Sequence, residues 1–174
     1  MAYFLVFQNE FYEEESKGGY LWTTNAAKEG QEHFSGSNLK KIQPGDCIFS
    51  VVDGYIVSMN LAREFYKEEV REKEGCILPA KYQELKKPIS LSEYMDQLLP
   101  LSQKKDGPFT EDGKVRPDYL FPISNTMGKF IRSIVEHQNA IETPILRNAK
   151  NTLIEEKEER LLAKMKARLR KKGK

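Results

Sequence analysis

Two β-favouring runs, Cys47-Ile48-Phe49-Ser50-Val51-Val52 and Tyr55-Ile56-Val57-Ser58-Met59-Asn60-Leu61, meet across Asp53-Gly54. A two-residue type I′ turn needs positive φ at both central positions, and Asp-Gly supplies it at little steric cost, so this stretch is constrained to a β-hairpin. The first strand is apolar on both faces apart from Ser50, and Ser58 is the small polar counterpart on the second. A hairpin buried on both sides belongs to a curled sheet or barrel, whose inward serines can line a ligand pocket.

The rest of the chain reads around that hairpin. Tyr3 to Gln8 is a continuous apolar run of the kind found in central strands. Asn9 to Lys17 is acidic and suits a helical turn stopped by Gly18-Gly19; its glutamates have no His or Asp partner nearby and read as a solvated face. Ser35 or Ser37 caps a short helix that carries Leu39 and Ile42 inward and ends at Pro44-Gly45. Arg63 to Gly75 reads as a charged loop or frayed helix, Ile77 to Ile89 as a strand stopped by Pro88, and Leu91 to Leu99 as a helix. Pro100 to Asp118 is a long turn-rich loop, a type that is often functional. Tyr119 to Ile123 is a short strand, and Ser124 caps a helix whose stripe is Met127, Phe130, Ile131, Ile134 and Val135. Thr143-Pro144 opens a second helix, predicted to run to Lys171 and sparse in apolar residues.

Composition bounds the partners. The 174 residues suffice for one domain and an appendage, divided here as 1–139 and 140–174. Between Lys150 and Lys174 ten Lys/Arg face four Glu, so the tail carries +6, while the remainder, eighteen against twenty-two, carries −4. A mildly acidic body does not bind phosphate backbones indiscriminately; it needs a local basic patch or a specific pocket. No apolar run approaches the length of a membrane span, so no membrane partner is expected. The start lacks the basic region of a signal peptide, and Cys47 and Cys76 form no metal or disulfide pattern. A reducing cytoplasm is the expected compartment.

Among candidate site residues, Trp22 stands first. It follows Gly18-Gly19-Tyr20-Leu21 and precedes Thr23-Thr24-Asn25, which places an indole at a strand end beside small hydroxyls. Such a surface stacks flat groups, of which a nucleobase is the commonest; the same position also suits a core tryptophan. Phe34, beside two serines and a glycine, is a second wall, and Lys40 and Lys41 are candidate phosphate contacts. No P-loop, HExxH, GxSxG or Cys/His cluster is present, so catalysis has no named acid, base or nucleophile, and no cofactor or metal is called for.

With these residues in view, the chain resembles the EVE/YTH branch of the PUA-like superfamily, in particular N-terminal domains of bacterial modification-dependent (type IV, HNH-type) restriction endonucleases. The matching pieces are Tyr3 to Asn9, Gly18 to Trp22, Asn38 to Asp46, Ile48-Phe49 through Ile56-Val57, and Tyr119 to Ile123, which together span residues 3–135. The resemblance implies an α+β fold: a PUA-like (EVE/YTH-like) curled β-barrel of five or six strands, flanked by helices and followed by the long C-terminal helix. In YTH domains a strand-end tryptophan followed by small polar residues forms one wall of an aromatic cage for a methylated adenine, and Trp22-Thr23-Thr24 looks like that segment. A second cage tryptophan, expected after the hairpin, has no counterpart; Phe65, Tyr66 and Phe34 are the aromatic candidates for that wall.

The implied function is recognition of a methylated or hydroxymethylated adenine or cytosine, flipped out of double-stranded DNA, as the specificity module of a restriction system directed against phage. Eversion costs a few kcal/mol of stacking. An aromatic wall recovers about 1–3 kcal/mol, and a methyl pocket adds about 0.8 kcal/mol. Trp22 would stack on the base, with Tyr20, Phe34 and Phe65 as further aromatics and Ser35 and Ser50 as polar readers, Ser58 and Asn60 being alternatives. Lys40, Lys41 and Arg63 would meet phosphate. The effector would be an HNH nuclease domain or a nuclease partner, and the long helix offers a surface for dimerisation. The alternatives are a protein-interaction or assembly domain acting through that helix, and an RNA-binding PUA-like module.

Overall fold

The computed structural model describes residues 1–24, 34–139 and 160–168, which belong to two compact units, Met1–Asn139 and Ala140–Lys174. In the first unit, strand β1 (Tyr3–Phe7) leads into a 3-10 turn (Asn9–Phe11) and helix α1 (Tyr12–Gly18). Gly19 ends α1 with φ 71°, a left-handed cap that a side chain would strain. Then follow β2 (Tyr20–Thr24), α2 (Phe34–Lys40), β3 (Cys47–Val52) and β4 (Tyr55–Ala62). The β3–β4 hairpin turns on Asp53 (φ 50°) and Gly54 (φ 83°), as the Asp-Gly sequence dictates.

Strands β5 (Lys67–Val70), β6 (Glu74–Lys81) and β7 (Glu84–Ser90) come next, then α3 (Met95–Leu98) between two 3-10 turns, β8 (Leu120–Ile123) and α4 (Asn125–Asn139). The eight strands form one sheet in the order β2-β6-β4-β3-β1-β8, with β5 beside β6 and β7 beside β4. Only β1 and β3 run parallel; every other pairing is antiparallel. Register shifts at Ser50/Val51 and Ile56/Ser58 mark irregularities in β3 and β4. Such bulges bend strands, and the sheet curls into a half-barrel.

The inside of the curl is packed by Phe4 and Val6 of β1, Ile48, Leu78, Ala80 and Leu120, closed by Leu39 and Ile42 from α2 and the residues after it. Alternate residues of β1 face the other way, where Tyr3 stacks on Phe49 at 6.3 Å and α4 lies against the strand. The α4 cap is as expected: the Met127 N–H donates to Ser124 Oγ at 3.1 Å.

Several expectations are corrected. The sheet has eight strands among the described residues, not five or six. Arg63 to Gly75 is neither loop nor frayed helix throughout, because it contains β5 and the start of β6, whose charged residues sit on an outer strand. Ile77 to Ile89 spans two strands, and Pro88 lies within β7 instead of stopping it. Leu91 to Leu99 breaks into short 3-10 and α segments. Ser35 lies inside α2, so it is not the residue that precedes the helix. Of the predicted C-terminal helix, residues 160–168 are helical, and 143–159 and 169–171 lie outside the described residues. No helix among the described residues is long and apolar enough to cross a membrane.

Candidate functional site

At the carboxyl ends of the parallel pair β1 and β3, the chain leaves a cleft of about 1210 Å³. Phe7, Gln8, Asn9 and Phe11 form one side, and Asn38 and Lys41, at the end of α2 and just past it, form another. The long loop before β8 closes it with Lys105, Arg116, Asp118 and Tyr119. Local hydrogen bonds hold these walls. Ser35 Oγ accepts from the Tyr119 and Leu120 N–H groups, both at 3.1 Å, and donates to Asp118 Oδ1. Asn38 Nδ2 donates to the Leu120 carbonyl at 2.9 Å. Asn9 Oδ1 accepts from the Asp53 N–H at 3.0 Å and ties the hairpin turn to the rim. Phe7 and Phe121 meet edge to face at 5.7 Å, and Phe11 is 55% exposed, an aromatic surface left open to a ligand.

Behind the cleft lies a buried polar cluster centred on Glu15, which α1 turns inward while Glu13 and Glu14 stay in solvent. Glu15 Oε1 accepts from Tyr119 Oη at 2.6 Å and from the Trp22 N–H at 2.8 Å. Its Oε2 accepts from Gln8 Nε2 at 2.7 Å, and Gln8 Nε2 also donates to Tyr82 Oη at 2.6 Å. Burial raises the Glu15 carboxyl above its ordinary range, although the hydrogen bonds from Tyr119, Trp22 and Gln8 pull it down. Burial, and then the neighbouring Glu15, likewise raise the hydroxyls of Tyr82 and Tyr119. Gln8 is fully buried, and its Oε1 has no hydrogen-bond partner among the described residues.

The residues singled out in the sequence fall in several places. Trp22 and Tyr20 share one face of β2, both half-buried. Arg71 lies over them, its guanidinium 4.6 Å from the Tyr20 ring centre and 5.7 Å from that of Trp22. Gly75 backs the indole so closely that a Cβ there would lie 2.8 Å from the ring. Lys41 is on the cleft, whereas Lys40 sits 5.7 Å over the Tyr66 ring and Arg63 is exposed elsewhere. Phe65 is 61% exposed, outside the cleft lining. Ser50 is fully buried, accepting from Asn60 Nδ2 at 2.8 Å, and Ser58 is buried beside it in the sheet, so neither lines the cleft. The Phe34 side chain lies outside what is described; its backbone opens α2.

Gln8, Phe11, Asn38, Arg116 and Tyr119 were not anticipated as site residues. For Gln8 a signal existed: it is the polar residue that closes an otherwise apolar strand and precedes a helical turn. Arg116 belongs to the turn-rich loop, which the sequence marks as a functional type without saying where it folds, and Tyr119, read as the start of the next strand, is a bend residue just before β8. No group of three or more His, Cys, Asp or Glu suited to a metal exists among the described residues.

No family model matches the chain, and no curated protein sequence does. Solved structures do. A hypothetical protein from Leishmania major aligns with a TM-score of 0.57 at 11% identity, covering 79% of this chain and 96% of that one. Human THYN1, solved in complex with 5-methylcytosine-containing DNA, aligns at 0.53 and 11% identity, covering 78% and 98%. The Pho92 YTH domain, solved in complex with m6A, aligns at 0.53 and 12% identity, covering 78% and 86%. At such identities the likeness establishes the fold alone: a PUA-like, EVE/YTH-like curled sheet with flanking helices, as the sequence resemblance implies.

Proposed function

We propose that this chain recognises a modified nucleobase in nucleic acid, with the base everted into the cleft at the end of β1. The observation that carries the reading is the cleft itself. Its lining brings Phe7 and Phe11 together with Gln8, and includes the cations Lys41, Lys105 and Arg116. Aromatic walls with few polar groups are what a base pocket needs, and rim cations suit the flanking phosphates. Two proteins of the same fold were solved with a methylated base, 5-methylcytosine in DNA and m6A.

Trp22 is the second stacking surface in this proposal. Its ring lies outside the cleft lining, its backbone joins the Glu15 cluster that holds Gln8, and Arg71 lies over the ring. The wider role is that of the specificity module of a modification-dependent restriction system acting in the cytoplasm, which delivers an HNH-type nuclease to modified DNA.

Fluorescence anisotropy tests the reading with matched duplexes that are unmodified or carry N6-methyladenine, 5-methylcytosine or 5-hydroxymethylcytosine, alongside single-stranded RNA at fixed salt. Preference for one modified duplex is the expected result, and equal, salt-labile binding to every probe refutes it. Phe11→Ala and Trp22→Ala separate the two aromatic surfaces. Losing a stacked wall costs about 1–3 kcal/mol, roughly ten-fold or more in affinity, so the variant that binds normally identifies the ring that does not touch the base.

The exposed Leu161, Leu162 and Met165 of the C-terminal helix favour a second reading, assembly through that helix. Light scattering of the full chain across a concentration series checks it, and a monomer throughout removes self-association.

A further inference from the structure

Resting on the nucleobase reading, we infer that Gln8 is a specificity-determining residue: it presents a fixed hydrogen-bond acceptor, and the site therefore selects a base edge that carries an exocyclic amino group. The direction of the hydrogen bonds behind it sets this. The Tyr20 carbonyl can only accept, so the Tyr82 hydroxyl, 2.8 Å away, must donate to it. Tyr82 Oη then receives a proton from its other neighbour, Gln8 Nε2, at 2.6 Å. The second amide hydrogen of Gln8 goes to Glu15 Oε2 at 2.7 Å. Both donors of the Gln8 amide are thus used, and a backbone carbonyl two bonds away fixes which end of the amide is oxygen.

The donors that reach Glu15 are all committed, whereas the buried indole N–H of the adjoining Trp22 has no hydrogen-bond partner among the described residues. The Tyr119 hydroxyl and the Trp22 backbone N–H both point at Glu15 Oε1. What Gln8 has left is its Oε1 lone pairs, fully buried and unpaired among the described residues, beside a carboxylate. Gln8 is among the residues that line the cleft. A ligand N–H brought there would satisfy an orphaned acceptor, whereas a carbonyl would face lone pairs and a carboxylate with no hydrogen to accept. Discrimination of this kind is sharp because the wrong ligand leaves buried groups unpaired. A methyl pocket by itself distinguishes weakly.

Two matched pairs test this with the full chain. The first compares 5-methylcytosine with thymine, which share the C5 methyl but carry an amino or a keto group at C4. The second compares N6-methyladenine with N6,N6-dimethyladenine, which has lost its last N–H. Each probe base is placed opposite an abasic site, so that eversion costs are comparable within a pair. The expected result is at least about ten-fold tighter binding of the N–H-bearing member of the pair whose ring the cleft accepts. Equal affinity, or preference for thymine or the dimethylated base, overturns the inference and leaves nucleobase recognition standing. Failure to bind any probe overturns both.

The paired substitution Glu15→Gln with Tyr82→Phe removes the two groups that fix the amide and frees Gln8 to rotate. In that variant, folded by circular dichroism, the preference should collapse while binding to the better probe persists. A preference retained in full would show that Gln8 is not the reader. If the variant does not fold, the wild-type comparison decides alone.

Discussion

Glu15 is a carboxylate only 4% exposed that makes no ion pair with a cation among the described residues. Three donors converge on it, yet burial still holds its titration above the usual value. A raised folded-state value means that the folded chain binds this proton more tightly than the unfolded chain does. The stabilisation from this group is therefore full below the unfolded value and is lost as pH rises through the folded one. Glu15→Gln removes that slope. Thermal melts of wild type and variant at a series of pH values from mildly acidic to neutral should show the wild type losing ground to Gln as pH rises, and a constant difference in Tm would refute the assignment. The sequence hid this residue because Glu13, Glu14 and Glu15 look alike as a run. The inward position is set by the phase of α1 against β2, which a single acidic stretch does not reveal. Trp22, in contrast, was legible as a strand residue suited to a pocket wall or to the core, and what it lacked was any hint of Arg71, which arrives from a hairpin read as a loop or frayed helix.

At the level of elements, the hairpin at Asp53-Gly54, the inward Leu39 and Ile42, and the α4 stripe were readable because each depends on spacing within a few residues. β5 and β7 were not. Their burial patterns are mostly exposed, with Lys, Glu and a proline, and they are strands only because β6 and β4 offer them edges. Long-range pairing overrides weak local preference there. The cleft was missed for the same reason, since its walls come from five separate stretches. Helix α4 offers a test of how tightly the elements are fitted. A Cβ on Gly128 would sit 2.1 Å from the Tyr3 ring, in the layer where Tyr3 stacks on Phe49. Gly128→Ala should destabilise the fold by about 1–3 kcal/mol through overpacking. In urea this reads as a lower midpoint with an unchanged slope, and an unshifted midpoint would mean that α4 can slide without cost.

Over the whole molecule, charge is divided between a mildly acidic first unit and a strongly basic tail. In the proposed function these have separate tasks: the tail adds attraction that ignores sequence, and the cleft supplies preference. Comparing the full chain with residues 1–139 should show a shallower dependence of affinity on salt for the shorter protein, with the same ratio between modified and unmodified probes. An unchanged salt slope would remove the tail from binding.

The sheet order also has a consequence for time. β1 is synthesised before the other described strands of its sheet, yet one of its ladders joins Tyr3 to Ile123. Until β8 has left the ribosome, β1 has one edge bare, and Phe4, Val6 and their neighbours have no complete shelter. Pairings so distant along the chain form slowly. The newborn protein therefore depends on late closure, and a nascent chain halted before residue 120 is the species most exposed to chaperones and to aggregation.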